Sequence, residues 1–120
     1  LYVAPPNYHV LIEKEKILSL SIEQPVNYCR PSIDVTLESA AFVYREWLVA
    51  CILSGANQDG AEGAREVKRR GGRVYVQDAA EAQVGTMPQA VAAAVSVDGV
   101  LSMGGMAEML NRMNRSECAT

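Results

Sequence analysis

One short carboxylate stands out among the residues whose type and setting could do chemistry. Asp59 ends the run Ser54-Gly55-Ala56-Asn57-Gln58-Asp59, between an apolar stretch and a segment with helical spacing. Two readings fit a carboxylate so placed. It caps the helix that follows, with Glu62 three residues on completing a capping box. Alternatively it serves a site, because open parallel sheets gather their sites at the carboxyl ends of strands. Local pattern leaves both open. His9 is the only histidine, so any Ser-His-Asp or metal constellation inside the chain would have to use it. It follows Pro5-Pro6 at the entry of a hairpin, which suits a structural role. Ser54 follows an apolar strand as a nucleophile would, but Leu53-Ser54-Gly55-Ala56 lacks the Gly-x-Ser-x-Gly elbow. Glycines 55, 60 and 63 are spaced G-x4-G-x2-G rather than G-x-G-x-x-G, a weak sign of dinucleotide binding. Cys29, Cys51 and Cys118 show no CxxC spacing, so neither a disulfide framework nor a zinc site is expected, and no metal or cofactor is implied.

The elements around these residues follow from periodicity. Leu1 to Ala4 reads as a strand stopped by Pro5-Pro6. Val10 to Glu13 and Ile17 to Ser21 flank a charged turn and read as a β-hairpin, and Gln24 to Pro31 as an extended connector. Ser32 is placed to cap a helix with Ile33, Leu37, Ala40, Ala41 and Tyr44 on one face. Trp47 to Leu53 is nearly all apolar, as in a parallel strand buried on both faces. A helix from Ala61 to Arg70 follows, closed by Gly71-Gly72. Arg73 to Gln77 is a strand, and Thr86-Met87-Pro88 opens a helix to about Val95. Gly99 to Met103 is a last strand, entered onto a helix over 106–113 through Gly104-Gly105. Met103, Met106, Met109 and Met113 are spaced as a packing face. Strand–helix alternation of this kind implies right-handed crossovers and a parallel sheet flanked by helices.

Composition excludes several classes. The 120 residues are 49% hydrophobic and 21% charged, which suits one globular domain and not a disordered chain. Fourteen acidic against eleven basic side chains give a net charge of −3, too little positive field to hold nucleic acid. No apolar run is long enough to insert in a membrane, and the N-terminus lacks a signal-peptide layout. Free thiols suit the reducing cytoplasm, the expected location. Asn114-Arg115-Ser116 is read as a chance sequon.

Several phrases in one order carry a resemblance: Tyr2-Val3-Ala4-Pro5-Pro6-Asn7-Tyr8-His9; Pro25-Val26-Asn27-Tyr28-Cys29-Arg30-Pro31-Ser32-Ile33-Asp34-Val35; Leu53-Ser54-Gly55-Ala56-Asn57-Gln58-Asp59-Gly60-Ala61; and Val76-Gln77-Asp78 with Thr86-Met87-Pro88. The series resembles the C-terminal part of the chemotaxis protein-glutamate methylesterase domain, the CheB family, over essentially the whole chain. That resemblance implies a doubly wound, Rossmann-like parallel α/β sheet with flanking helices and an inserted β-hairpin. It implies a Ser-His-Asp hydrolase that removes methyl groups from glutamate esters on chemoreceptor helices and deamidates certain glutamines. Asp59 inherits the orienting role toward the histidine, and Ala56 offers a backbone N–H as an oxyanion donor. Asn57, Met87 and Pro88 are the further cleft candidates. The family's serine and histidine motifs fall before the matched segment, and His9 matches a different histidine of the family. Residues 1–120 are therefore expected to be the C-terminal portion of the catalytic domain, inactive alone and prone to self-association through an uncovered sheet edge. The implied partners are methyl-accepting chemoreceptor helices and a receiver domain in cis or in trans. The alternative is a non-catalytic α/β fragment or protein-binding module that keeps the same half-fold.

Overall fold

The computed structural model describes residues 1–118, with side chains described through residue 114; Cys118 and the end of the sequon lie outside the described side chains. Strands β1 (His9–Ile12) and β2 (Leu18–Ser21) form an antiparallel hairpin in the register His9↔Ser21 to Ile12↔Leu18. Its turn closes through Lys16 N–H to Glu13 O and Glu13 N–H to Ile17 O, both 2.8 Å, with Lys16 at φ 63°. That is a three-residue loop finished by a left-handed residue. Helix α1 (Ile33–Tyr44) follows, then a 3-10 turn over Arg45–Trp47. Strand β3 (Val49–Ile52), helix α2 (Ala61–Arg69), strand β4 (Arg73–Gln77), helix α3 (Thr86–Ala94), strand β5 (Gly99–Leu101) and helix α4 (Met103–Cys118) complete the order.

Strands β3, β4 and β5 lie side by side in that order, all parallel, as the strand–helix alternation implies. One apolar cluster joins Ala41 of α1, Ala64 and Val67 of α2, and Val91 of α3 to Ala50, Ile52, Val74 and Val76 of the sheet. The expectation that the first parallel strand is buried on both faces is not met. Ala50 and Ile52 are buried, whereas Val49 and Cys51 on the opposite face are half-buried. The apolar run is shorter than it reads, because Arg45–Trp47 turns as a 3-10 helix and leaves Trp47 82% exposed.

Two further expectations are corrected. Leu1 to Ala4 forms no strand, since among the described residues it has no strand to pair with, and Leu1, Tyr2 and Val3 are exposed. The last helix begins at Met103, not after Gly104-Gly105. Ser102 Oγ accepts the Gly105 N–H at 3.0 Å, a side-chain cap that starts the helix early enough to include both glycines. Met106 and Met109 are buried as expected of a packing face, while Met103 at the first turn is exposed.

The hairpin is tied to α1 by two side chains of the helix. Thr36 Oγ1 donates to Val10 O at 2.7 Å, and Ser39 Oγ accepts the Ile12 N–H at 3.0 Å. Helices α1 and α2 approach closely because Gly63 has no side chain. A Cβ there would stand 2.7 Å from Leu37 Cβ and 3.1 Å from Asp34 Cα. This approach brings the N-termini of the two helices together.

Candidate functional site

Both helix N-termini need acceptors for backbone N–H groups that have no partner within the helix. Ser32, at the N-cap of α1, has the extended backbone of a cap but makes no capping bond itself. Its hydroxyl donates instead to Asp59 Oδ1 at 2.8 Å. Asp59 replaces it: Oδ2 accepts the Ile33 N–H, and Oδ1 accepts the Asp34 N–H at 3.2 Å. Helix α2 is served the other way. Its N-cap is Gly60 at φ 112°, which has no side chain to offer. Asp34 Oδ1 accepts the Gly60 N–H at 2.9 Å and the Gly63 N–H at 2.7 Å. Each helix thus begins with an aspartate that caps the other.

The local capping reading of Asp59 therefore changes partner. Asp59 is a cap, but of α1, and Glu62 turns outward to pair with Arg65 rather than closing a box. Asp59 and Asp34 are 2% and 4% exposed, and among the described residues no lysine or arginine pairs with either. Helix N-termini carry partial positive charge, which favours a carboxylate at each. Asn27 completes the arrangement, donating through Nδ2 to Asp34 Oδ2 at 2.8 Å and to Asp59 Oδ1 at 3.2 Å. Oδ1 of Asp59 thus receives three donors and Oδ2 only one. Oδ2 is the oxygen with acceptor capacity to spare.

The loop that carries Asp59 is fixed at both ends. Asn57 Oδ1 accepts the Asp59 N–H at 2.9 Å, an Asx turn, and Asn57 Nδ2 reaches Cys29 Sγ at 3.2 Å. Gly55 N–H donates to Val84 O and Met87 N–H to Gly55 O, each at 3.0 Å. A Cβ on Gly55 would lie 2.6 Å from Met87 Cε, so this glycine lets α3 close on the loop. Ala56 is exposed, and its N–H makes no hydrogen bond among the described residues. Asn57 is exposed beside it, whereas Met87 and Pro88 are buried and pack from the core side. The cleft candidates therefore divide into a surface pair and a core pair.

Ser54 and His9 are occupied elsewhere. Ser54 Oγ accepts the Val84 N–H at 2.9 Å and lies 3.2 Å from Val84 O as a donor, stapling two loops, with no base beside it. His9 is 1% exposed; its Nδ1 accepts the Ser32 N–H at 3.1 Å, so Nε2 carries the proton and donates to Gln24 O at 2.9 Å. Among the described residues no group of three His, Cys, Asp or Glu side chains could hold a metal. No described helix is long and apolar enough to cross a membrane. One surface groove of about 460 Å³ runs between Tyr2, Val3, Pro5, Ile12 and Leu20, and a smaller one of about 200 Å³ passes Ser32 and Ile33, which donate to Asp59. Burial pushes the Cys51 thiol up, which disfavours its thiolate.

Sequence reasoning missed Asn27 and Asp34 as parts of this site. The signal was present in Val26-Asn27-Tyr28-Cys29, where an asparagine stands in a two-residue turn and tolerates a left-handed backbone.

Known proteins with the same pattern are close in sequence and shape. The family model described as CheB methylesterase matches residues 1–110. A relative from Leptospira interrogans is 49% identical over 116 residues, spanning 97% of this chain and 60% of that protein. The protein-glutamate methylesterase/protein-glutamine glutaminase 1 of Paramagnetospirillum magneticum is 36% identical, over 94% of this chain and 30% of that protein. The crystal structure of the Thermotoga maritima CheB methylesterase catalytic domain superposes with a TM-score of 0.89 at 32% identity, covering 93% of this chain and 61% of that one. The chain thus spans about 60% of the length of the Leptospira relative.

Proposed function

The chain belongs to the CheB methylesterase family, and from that premise we propose that it forms the Asp-bearing part of a catalytic domain that hydrolyses glutamate methyl esters and deamidates glutamines on chemoreceptor helices. The observation that carries the reading is the Asp59 carboxylate: buried, fixed by four donors, and with Oδ2 accepting only the Ile33 N–H. In this reading Oδ2 accepts the Nδ1–H of a histidine supplied by the part of the domain that precedes the matched segment. The opposite ring nitrogen takes the proton of a serine as its oxygen attacks the ester carbonyl. Methanol leaves with that proton, or ammonia leaves when the substrate is a glutamine side chain. Water then hydrolyses the acyl-serine along the same proton path and frees the glutamate. Asp59 holds the tautomer and stabilises the imidazolium formed in both steps. The exposed Ala56 N–H is the oxyanion donor, and Asn57 sets the backbone of Asp59 through its Asx turn. Residues 1–120 alone contribute no nucleophile–histidine pair in this reading, and a receiver domain in cis or in trans regulates access.

The test is Asp59→Asn in the complete catalytic domain, with the upstream portion supplied in cis or as a complementing chain. Both Asp59 oxygens face donors, so the new NH₂ meets an N–H or O–H wherever it turns, and stability falls by about 1–3 kcal/mol. Rates are therefore measured well below the melting transition. Val67→Ala, a core substitution costing about 2 kcal/mol, shows what lost stability alone does to turnover. Methyl-ester turnover is expected to fall by about a hundredfold to 10⁴-fold in Asp59→Asn, with Val67→Ala near normal. Normal turnover in Asp59→Asn leaves the residue a helix cap and returns the non-catalytic reading.

A further inference from the structure

We infer that Asn27 is a positioning residue for this site: its side-chain amide, spanning Asp34 and Asp59, fixes the rotation of the Asp59 carboxylate so that Oδ2, which accepts only the Ile33 N–H, keeps room for a second donor. The inference rests on the reading of Asp59 as the group that orients the imidazole. Asn27 has two amide protons and spends them on two carboxylates, at 2.8 Å to Asp34 Oδ2 and 3.2 Å to Asp59 Oδ1. Two like charges this close repel, and an NH₂ group between them supplies each with a donor. Only an amide with its nitrogen toward both acceptors does this; aspartate would add a third negative charge, and alanine would supply nothing.

The turn that carries Asn27 is closed by backbone hydrogen bonds on both sides. Val26 and Cys29 exchange backbone hydrogen bonds of 3.0 and 2.8 Å, and Asn27 and Tyr28 between them stand at φ 53° and 63°. Cys29 then touches the Asp59 loop, its Sγ lying 3.2 Å from Asn57 Nδ2, while Asn57 holds the Asp59 N–H. One four-residue turn thus grips the Asp59 backbone through Cys29 and its side chain through Asn27. Without the amide, Oδ1 keeps the Ser32 hydroxyl and the Asp34 N–H as donors, but the carboxylate is freer to rotate and exchange its oxygens. Small misplacements of an orienting group cost up to about a hundredfold in rate.

The experiment uses the complete domain with its upstream portion in cis or as a complementing chain. Asn27→Gly removes the amide yet accepts the positive φ, so the turn survives. Asn27→Ser, which keeps one shorter donor, guards against loss of the fold. Below the melting transition kcat for the methyl ester is expected to fall about 10- to 100-fold in Asn27→Gly and less in Asn27→Ser, with KM unchanged. A merely structural role lowers the melting temperature and leaves kcat alone. The double variant Asn27→Gly/Asp59→Asn is expected to turn over no more slowly than Asp59→Asn, because Asn27 acts through Asp59. Full kcat in Asn27→Gly, or losses that multiply in the double variant, overturns the inference while Asp59→Asn still loses activity. Full activity in Asp59→Asn instead removes the reading beneath it.

Discussion

Two sets of carboxylates in this molecule are neutralised in opposite ways. Asp34 and Asp59 are buried and meet only N–H and O–H donors: helix N-termini, one serine and one asparagine. Glu62, Glu66 and Asp98 sit at the surface and meet cations, with Arg65, Arg69, Arg70 and Lys68 as partners. Arginine and lysine pairs on a wet helix face are flexible, screened by salt, and worth little each. Backbone donors cannot swing away, so the buried pair fixes geometry, whereas the three surface carboxylates chiefly balance the cations of α2. Position, not charge count, decides what a carboxylate does here.

The sharpest way to break the contrast is Asp34→Ala. It strips two backbone N–H groups of their acceptor and leaves Asn27 half-paired, so a loss of about 3 kcal/mol is expected. Urea denaturation with an unchanged slope reads it; a loss below about 1 kcal/mol would place Asp34 with the surface group.

A smaller effect comes from Glu66→Gln. Hydrogen bonds from Arg69 and Arg70 hold the Glu66 carboxyl down at about 2, below its ordinary 4.5. A depressed folded-state value means that this group's contribution is present above about pH 4.5 and is lost as the pH falls toward 2. Unfolding midpoints from pH 6 to pH 2 should fall less steeply in Glu66→Gln, with under about 1 kcal/mol lost at pH 7 and less at high salt. An equal slope in both proteins removes Glu66 from the acid limb.

The smallest concerns the turn that holds Asn27. Tyr28 is at φ 63° and wholly exposed, so its side chain bears the cost of a left-handed backbone with no packing to offset it. Tyr28→Asn is expected to stabilise by about 0.5–1 kcal/mol, since asparagine adopts this conformation more readily. Thermal melts would show a rise; a fall would mean that the tyrosine makes contacts in solution that offset its strain.

What the sequence made legible follows the range of the interaction. Arg73–Gln77, α1 and the hairpin were readable because their signals are local: alternation, a 3.6-residue period, and turn chemistry. The family could be read because its phrases are contiguous words of sequence, several of them in Pro-, Asn- and Gly-bearing turns, and need no knowledge of long-range contacts. The partner of Asp59 was not readable. Asp-x-x-Glu at 59–62 fits a local box, but its outcome depended on a helix N-terminus more than twenty residues upstream. Gly63 allowed that helix to approach, and Gly60 left the cap of α2 open for Asp34. Met87 and Pro88 carried the same difficulty: the motif marks them, while their burial, and the seat of Met87 against Gly55, come only from packing.

The exchanged caps also bear on how the chain orders itself in time. Asp34 and Asp59 are 25 residues apart, and β3 lies between them. Starting a helix is the unfavourable step in forming one, and here the first turn of each is completed by a residue at the start of the other. Neither first turn has its full set of acceptors until the segment between the helices has closed, and that segment carries β3. The two starts are therefore expected to open together, with the amide protons of Ile33 and Gly63 exchanging with solvent as one cooperative unit, which native-state hydrogen exchange would read.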